Sequence, residues 1–458
     1  MNKHSTVRKQ FFRYVSQNIL GMIGVSAYIL ADTFFIAQAQ GADGIAALNL
    51  VLPVYSLIFA LGAMLATGAA TRFALERREG KHADGYLAEA LAWAGILSVP
   101  FILLGIFSAE GIVRLLGGEP DIVTVGAPYT RIFLLFTPFF MCNYILRSFV
   151  LNDGDPSLAM TATMASSLFN IVMDWVLMFP LGMGMAGAAL ATAASPIVGM
   201  GINALHFRKK TNTLRFRWHK PTFKLLAHVS AVGVSGFIGE IAGGMTTMVL
   251  NFLILGLSGS IGVAAYGVVA NVAIVATAIF SGISQGSQPL LSDAYSRGET
   301  GQVRQVLMMS ILTALTLSVL MIVCFEVFAE PLVAVFNSEH DPVMADLACQ
   351  GMRLYFLGYL FAGFNIAGTG YLSAVGAAKW AMITSILRGV AAIVLCALVM
   401  AALFGMTGVW LAFCAAEAIT AGGMAGGEEK KADFKNSSAG VMAVAMKKTA
   451  IVIIPRKN

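Results

Sequence analysis

Long apolar runs, bounded by glycine, proline or charge, recur near residues 14–37, 45–74, 86–108, 123–149, 158–180, 185–207, 225–256, 263–292, 304–328, 343–371, 379–404 and 408–426. A helix needs about 20 apolar residues to cross a hydrocarbon core roughly 30 Å thick, and these runs meet that length. The pattern predicts an all-α polytopic membrane protein with twelve transmembrane helices. Basic residues alternate between the connecting loops. Lys3, Arg8, Lys9 and Arg13 precede the first run, Arg77, Arg78 and Lys81 follow the second, and seven Lys and Arg lie between Arg208 and Lys224, whereas the opposite loops hold Arg114 alone. Basic loops stay on the cytoplasmic side, so both termini are expected there, in a bacterial-type inner membrane.

The chain also repeats itself. Gly-Ile-Ala-Ala-Leu at 44–48 returns as Gly-Val-Ala-Ala-Tyr at 262–266, and Gly68 and Gly80 return as Gly286 and Gly298, all at an offset of 218. Arg131, Asn143, Gly154 and Met160 match Arg353, Asn365, Gly376 and Met382 at 222, and Gly187 and Leu190 match Gly408 and Leu411 at 221. Two six-helix halves follow. An even number of spans per half gives both copies the same orientation, with pseudo-symmetry about an axis near the membrane normal, an architecture suited to alternating access. The expected division is a bundle over 1–207, a basic linker over 208–224 carrying Trp218 and Pro221, a second bundle over 225–426, and a cytoplasmic tail over 427–458 whose apolar stretches are too short to span.

Composition supports this reading and removes others. Hydrophobic residues make up 58% of the chain and charged residues only 12%, which excludes a soluble fold. The net charge of +6 is spread over alternate loops instead of gathered with aromatics on one domain, so no nucleic-acid partner is expected. Five cysteines are scattered through apolar runs with no metal-ligand spacing. Gly282-Ile-Ser284-Gln-Gly286 matches a nucleophile-elbow pattern, but it sits within a span and no His lies mid-span. There is no phosphate-binding Gly-x-x-x-x-Gly-Lys loop. Neither enzyme activity nor a cofactor is expected, and the chain is expected to be a monomer.

Charge at the centre of a span costs about 2.5–3.5 kcal/mol on insertion scales, so intramembrane carboxylates are functional candidates. Asp32, Asp174 and Glu240 stand out. Asp32 and Asp174 lie at similar depths in the first and fifth spans. Asn170 shares the helix face of Asp174, and Thr192 reaches a similar level from the sixth. These four offer an oxygen-lined ion-coupling site for H+ or Na+. The repeat offsets convert them to Leu250, Ala392, Cys396 and Phe413, so only the first half keeps the polar set. The bland alternative is interhelical hydrogen bonding. Glu240 is expected either to bind a cation or to pair with Arg388. Gln285 and Gln288 line a substrate cavity or pack against the kink at Pro289.

Three stretches carry a family resemblance: Ala31–Ala37 (ADTFFIA), Ile145–Thr192 (ILRSFVLNDGDPSLAMTATMASSLFNIVMDWVLMFPLGMGMAGAALAT) and Ser284–Glu299 (SQGSQPLLSDAYSRGE). Through them the chain, over roughly 14–420, resembles the multidrug and toxic compound extrusion (MATE) family, nearest its DinF-like branch. The resemblance implies a V-shaped twelve-helix antiporter that exports cationic or amphipathic compounds against inward H+ or Na+. It also implies that Asp32, Asn170, Asp174 and Thr192 match the family's ion-coupling site. Gln17 stands where DinF-like members often carry proline. Other classes weighed are a lipid or lipid-linked oligosaccharide flippase, and a membrane-embedded enzyme or receptor. A flippase for anionic headgroups would line its cavity with Arg and Lys, whereas the candidates here are mainly Gln, Glu and Met. H+ is the expected coupling ion, because two neighbouring carboxylates in a low dielectric do not both ionise.

Overall fold

The computed structural model describes residues 3–77, 85–216, 220–336 and 341–429, and every helix and turn in it lies within these ranges. The expected tail beyond 429, together with Arg78, Gly80, Lys81, Arg217 and Trp218, lies outside the described residues. Two continuous helical stretches, Lys3–Glu76 and Phe223–Ser296, each contain 74 residues. At 1.5 Å per residue each would extend about 110 Å, far beyond one bilayer crossing. Each is broken by a glycine with positive φ, Gly41 (61°) and Gly259 (62°), a conformation that other L-residues reach only with strain. These two glycines are repeat partners at the 218 offset, and Gly154 and Gly376, partners at 222, also share positive φ. The duplication read from the sequence is therefore present in the backbone.

Twelve spans result. They are α1 (Thr6–Gly41), α2 (Asp43–Glu76), α3 (Tyr86–Phe107), α4 (Pro120–Leu135, continuing after a 49° bend as Thr137–Asn152), α5 (Pro156–Met178) and α6 (Gly184–Ala204). The second repeat supplies α7 (223–258), α8 (260–296), α9 (300–327), α10 (Pro342–Tyr355 and Tyr359–Ala374), α11 (378–404) and α12 (406–429). The bend in α4 falls at Phe136, just before Pro138, which cannot donate a backbone hydrogen bond. A π-helical turn, Leu387–Ala391, interrupts α11.

Packing divides the chain into one unit of Arg13–Gly244 and another of Met1–Phe12 with Met245–Asn458. The packing boundary thus falls inside α7, after Gly244, whereas the repeat boundary lies near 208–224. The reason is local. A Cβ on Gly68 would lie 2.1 Å from the Val229 carbonyl oxygen, and one on Gly233 only 1.9 Å from that of Met64. The first half of α7 is seated backbone to backbone on α2, an approach that only glycine permits. In the core of the first unit the Tyr55 and Phe133 rings stack at 3.8 Å and Phe133 stacks on Phe140 at 4.4 Å, joining α2 to both halves of α4. In the second unit Tyr355 stacks on Phe413 at 4.5 Å and Phe280 on Tyr359 at 5.3 Å.

At one end of the first unit His206 is fully buried between two aspartates, with Nε2 2.8 Å from Asp153 Oδ2 and Nδ1 3.2 Å from Asp155 Oδ2. Burial alone would raise the Asp155 pKa, but hydrogen bonds from Lys209, His206 and the Leu158 N–H hold it below the usual carboxylate range. This cluster fixes the start of α5 to the end of α6.

Substituting Gly68→Ala or Gly233→Ala should force α7 from α2 and destabilise the protein by about 1–3 kcal/mol, as overpacking does. Gly239→Ala, where a Cβ meets nothing within 4 Å, should be neutral or slightly stabilising. Thermal unfolding in detergent, followed by tryptophan fluorescence, checks both: equal midpoints for Gly233→Ala and Gly239→Ala would refute the packing account.

Candidate ion-coupling site

Asn170 and Asp174 project from successive turns of α5 and are both fully buried. The Asn170 amide donates to Thr192 Oγ1 on α6 at 3.1 Å. Asp32, on α1, is 8% exposed, and its carboxylate lies within range of the Asp174 charge. Among the described residues, Asp32 Oδ1 is buried with no hydrogen-bond partner. The structure thus brings the four expected residues together from α1, α5 and α6 in one unit. Three tyrosines lie within range of the Asp32 charge: Tyr28, one turn before Asp32 on the same helix face, with Tyr55 on α2 and Tyr129 on α4. The spacing of Tyr28 to Asp32 was visible in the sequence. The approach of Tyr55 and Tyr129 depends on packing between helices distant in sequence.

Among the described residues, the second unit has no such constellation. Leu250, Ala392, Cys396 and Phe413 occupy the repeat-related positions and are all buried, so this level of the second unit is an apolar core. Its intramembrane charge is elsewhere. Glu417 on α12 is 3% exposed and accepts from Arg388 Nε at 2.7 Å and from Asn365 Nδ2 at 2.7 Å. Sequence reasoning missed Glu417, although a carboxylate within a span carries the same signal as Asp32; the thin, glycine-rich character of the last run hid it. The pairing of Glu240 with Arg388, one of two expectations, is corrected accordingly, because Arg388 sits on the π-helical turn of α11 with its ion pair made to Glu417.

Glu240 itself is exposed on α7, with Oε1 3.5 Å from the Tyr144 hydroxyl on α4. Arg147, one turn beyond Tyr144, donates to Asn18 Oδ1 on α1 at 3.3 Å and lies within range of the Glu240 charge. Glu240 therefore belongs to a polar group in the first unit. Gln285 and Gln288 are half-buried on α8 in the second unit. Gln17 donates to Ser157 Oγ at 2.8 Å and so ties α1 to α5.

Twelve helices in two repeats, with a buried pair of aspartates inside one of them, define a multi-pass membrane transporter. The MatE family model matches residues 18–176 and 238–398, one block in each repeat, and the chain belongs to that family. It is 26% identical over 421 residues to the multidrug export protein MepA of Staphylococcus saprophyticus, with 91% of this chain and 92% of that protein aligned. The MepA of Staphylococcus aureus is similar at 26% identity over 431 residues, with the same coverage. Among solved structures, the fold matches an outward-facing multidrug resistance MATE family transporter of the MOP superfamily with a TM-score of 0.84 at 21% identity, over 90% of this chain and 93% of that one. It also matches a MOP superfamily transporter from Pyrococcus furiosus, with a TM-score of 0.83 at 20% identity over 98% and 97%.

The Arg388–Glu417 pair yields a stability test. Glu417→Gln should strand a half-buried guanidinium and cost about 3–5 kcal/mol, whereas the double replacement Arg388→Met with Glu417→Leu should return close to the starting stability. A double variant no more stable than Glu417→Gln, in the same thermal unfolding measurement, would show that the pair is not the dominant interaction there.

Proposed function

We propose that this chain is a secondary active antiporter that exports cationic or amphipathic small molecules, driven by inward H+ exchanged at Asp32, Asn170, Asp174 and Thr192. The observation that carries the reading is the buried carboxylate pair of α1 and α5 beside the Asn170–Thr192 hydrogen bond, confined to one unit. The multidrug export proteins among the relatives support the cargo class. Two carboxylates in a low dielectric do not ionise together, so a proton resides on the pair and leaves when the surroundings change. Each unit of pH difference supplies about 1.4 kcal/mol per proton, and 100 mV of potential adds about 2.3 kcal/mol per charge. The same oxygens would form the Na+ site if Na+ is the driving ion. The basic loops support a reading in which both termini are cytoplasmic, and we propose a bacterial-type inner membrane and a monomeric working unit.

The cargo-facing group we assign is Glu240, an exposed carboxylate on α7 beside Tyr144 within the first unit. A carboxylate beside an aromatic ring suits an amphipathic cation.

Asp32→Asn and Asp174→Asn should each abolish efflux of ethidium from proteoliposomes driven by an imposed pH gradient in Na+-free buffer, while expression stays near normal. Wild-type rates in both variants would sink the assignment. Efflux that requires Na+ and ignores the pH gradient would replace H+ by Na+ at the same residues. Glu240→Gln should weaken binding of ethidium at least several-fold while sparing a neutral amphipath; equal losses for both would make Glu240 a structural residue.

A further inference from the structure

The described parts of the segment between α6 and α7 are held on the first unit at two points. At one end the backbone N–H of Thr213 donates to Asp153 Oδ2 at 2.8 Å and its hydroxyl donates to Asp153 Oδ1. At the other, the Thr222 N–H and hydroxyl both donate to Glu89 Oε1, at 2.7 and 2.8 Å. Both carboxylates are buried, as is Leu214 between the two straps, and the Phe223 ring rests 5.0 Å from that of Trp93. Two carboxylate–threonine straps and a buried leucine fix what would otherwise be a free tether.

What the fixed segment presents outward is one-signed. Arg208, Lys210, Arg215, Lys220 and Lys224 are exposed, and among the described residues no carboxylate pairs with any of them. Lys209 differs, being committed to Asp155 at 2.6 Å. No Asp or Glu occurs anywhere between 208 and 224. Interleaved with these cations are three exposed rings, Phe207 (37%), Phe216 (59%) and Phe223 (80%). Phe207 lies in the last turn after α6 and Phe223 opens α7, so the rings stand where the spans leave the hydrocarbon. Aromatic rings at that level with cations just outside it fit a lipid headgroup layer, where clustered Lys and Arg meet phosphates while apolar side chains enter the acyl boundary.

We propose that residues 205–216 and 220–224 form a preorganised docking surface for anionic phospholipid headgroups. The phenylalanines enter the acyl boundary, and the five cations meet the phosphates. The straps hold the cations in place before lipid arrives, so less ordering entropy is lost on binding than for a disordered basic tail. Asp153, which holds one strap, also holds His206 beside α5 and α6, the helices that carry Asn170, Asp174 and Thr192. Bound lipid therefore braces the end of the helix pair that carries most of the ion-coupling residues.

Electron spin resonance of the full chain in phosphatidylcholine bilayers, doped with spin-labelled phosphatidylglycerol or spin-labelled phosphatidylcholine, tests this without requiring transport. Its result is therefore independent of the export assignment. The immobilised fraction should favour phosphatidylglycerol several-fold, and the preference should fall with salt. Arg208→Gln, Lys210→Gln and Arg215→Gln together should bring the ratio to about one. Removal of three exposed cations elsewhere, Arg114→Gln, Arg304→Gln and Lys379→Gln, should leave it unchanged. Thr213→Val with Thr222→Val, which keeps every charge and frees the straps, should lower it part of the way. A wild-type ratio of one, or a ratio that falls equally in both charge variants, would overturn the proposal. Binding of a soluble polyaspartate peptide without any lipid preference would assign the surface to an acidic protein partner instead.

Discussion

A carboxylate in hydrocarbon needs a cation, and every other feature of the two units follows from how each supplies one. In the second unit the cation is built in: Glu417 is satisfied by Arg388 and Asn365, all covalently part of the same bundle. A fixed counter-charge of this kind holds helices in place and exchanges nothing. In the first unit the charge of Asp32, another acid, reaches Asp174, and on the proposed reading neutrality there comes from a mobile ion. On that reading one repeat serves as the coupling element while its duplicate serves as scaffold.

Divergence between the repeats has a simple physical form. The backbone devices were kept in both: positive-φ glycines break the α1–α2 and α7–α8 stretches at equivalent positions, and Gly154 and Gly376 turn the chain after α4 and α10. Side chains at the coupling level changed from Asp, Asn, Asp and Thr to Leu, Ala, Cys and Phe, which removes charge without opening a void, since all four successors are buried. Topology constrained the fold more tightly than polarity did, because a helix break moves every residue after it, whereas a core position needs only volume and apolarity.

The spans, the repeat and the four candidate site residues were legible because each rests on local patterning: run length, offset, and helical spacing such as Asn170 to Asp174. What was not legible depends on contacts between distant segments. The seating of α7 on α2 rests on Gly68 and Gly233, whose spacing in the chain says nothing of their meeting. From the sequence Glu240 is the candidate partner of Arg388, and only the packing of α11 against α12 pairs it with Glu417. The basic linker was visible as a charge run, but its two threonine straps depend on Asp153 and Glu89, 60 and 133 residues away in sequence.

The central claim is that the mobile proton resides on the Asp32–Asp174 pair and not on Glu417. Proton release on substrate binding tests it most directly, by mixing detergent-solubilised protein with ethidium in weakly buffered solution containing a pH indicator. The account predicts that wild type releases about one proton per chain when the pair changes its protonation, that Asp32→Asn and Asp174→Asn release none, and that Glu417→Gln releases as much as wild type. Release that survives in both aspartate variants, or that disappears with Glu417→Gln, would contradict it.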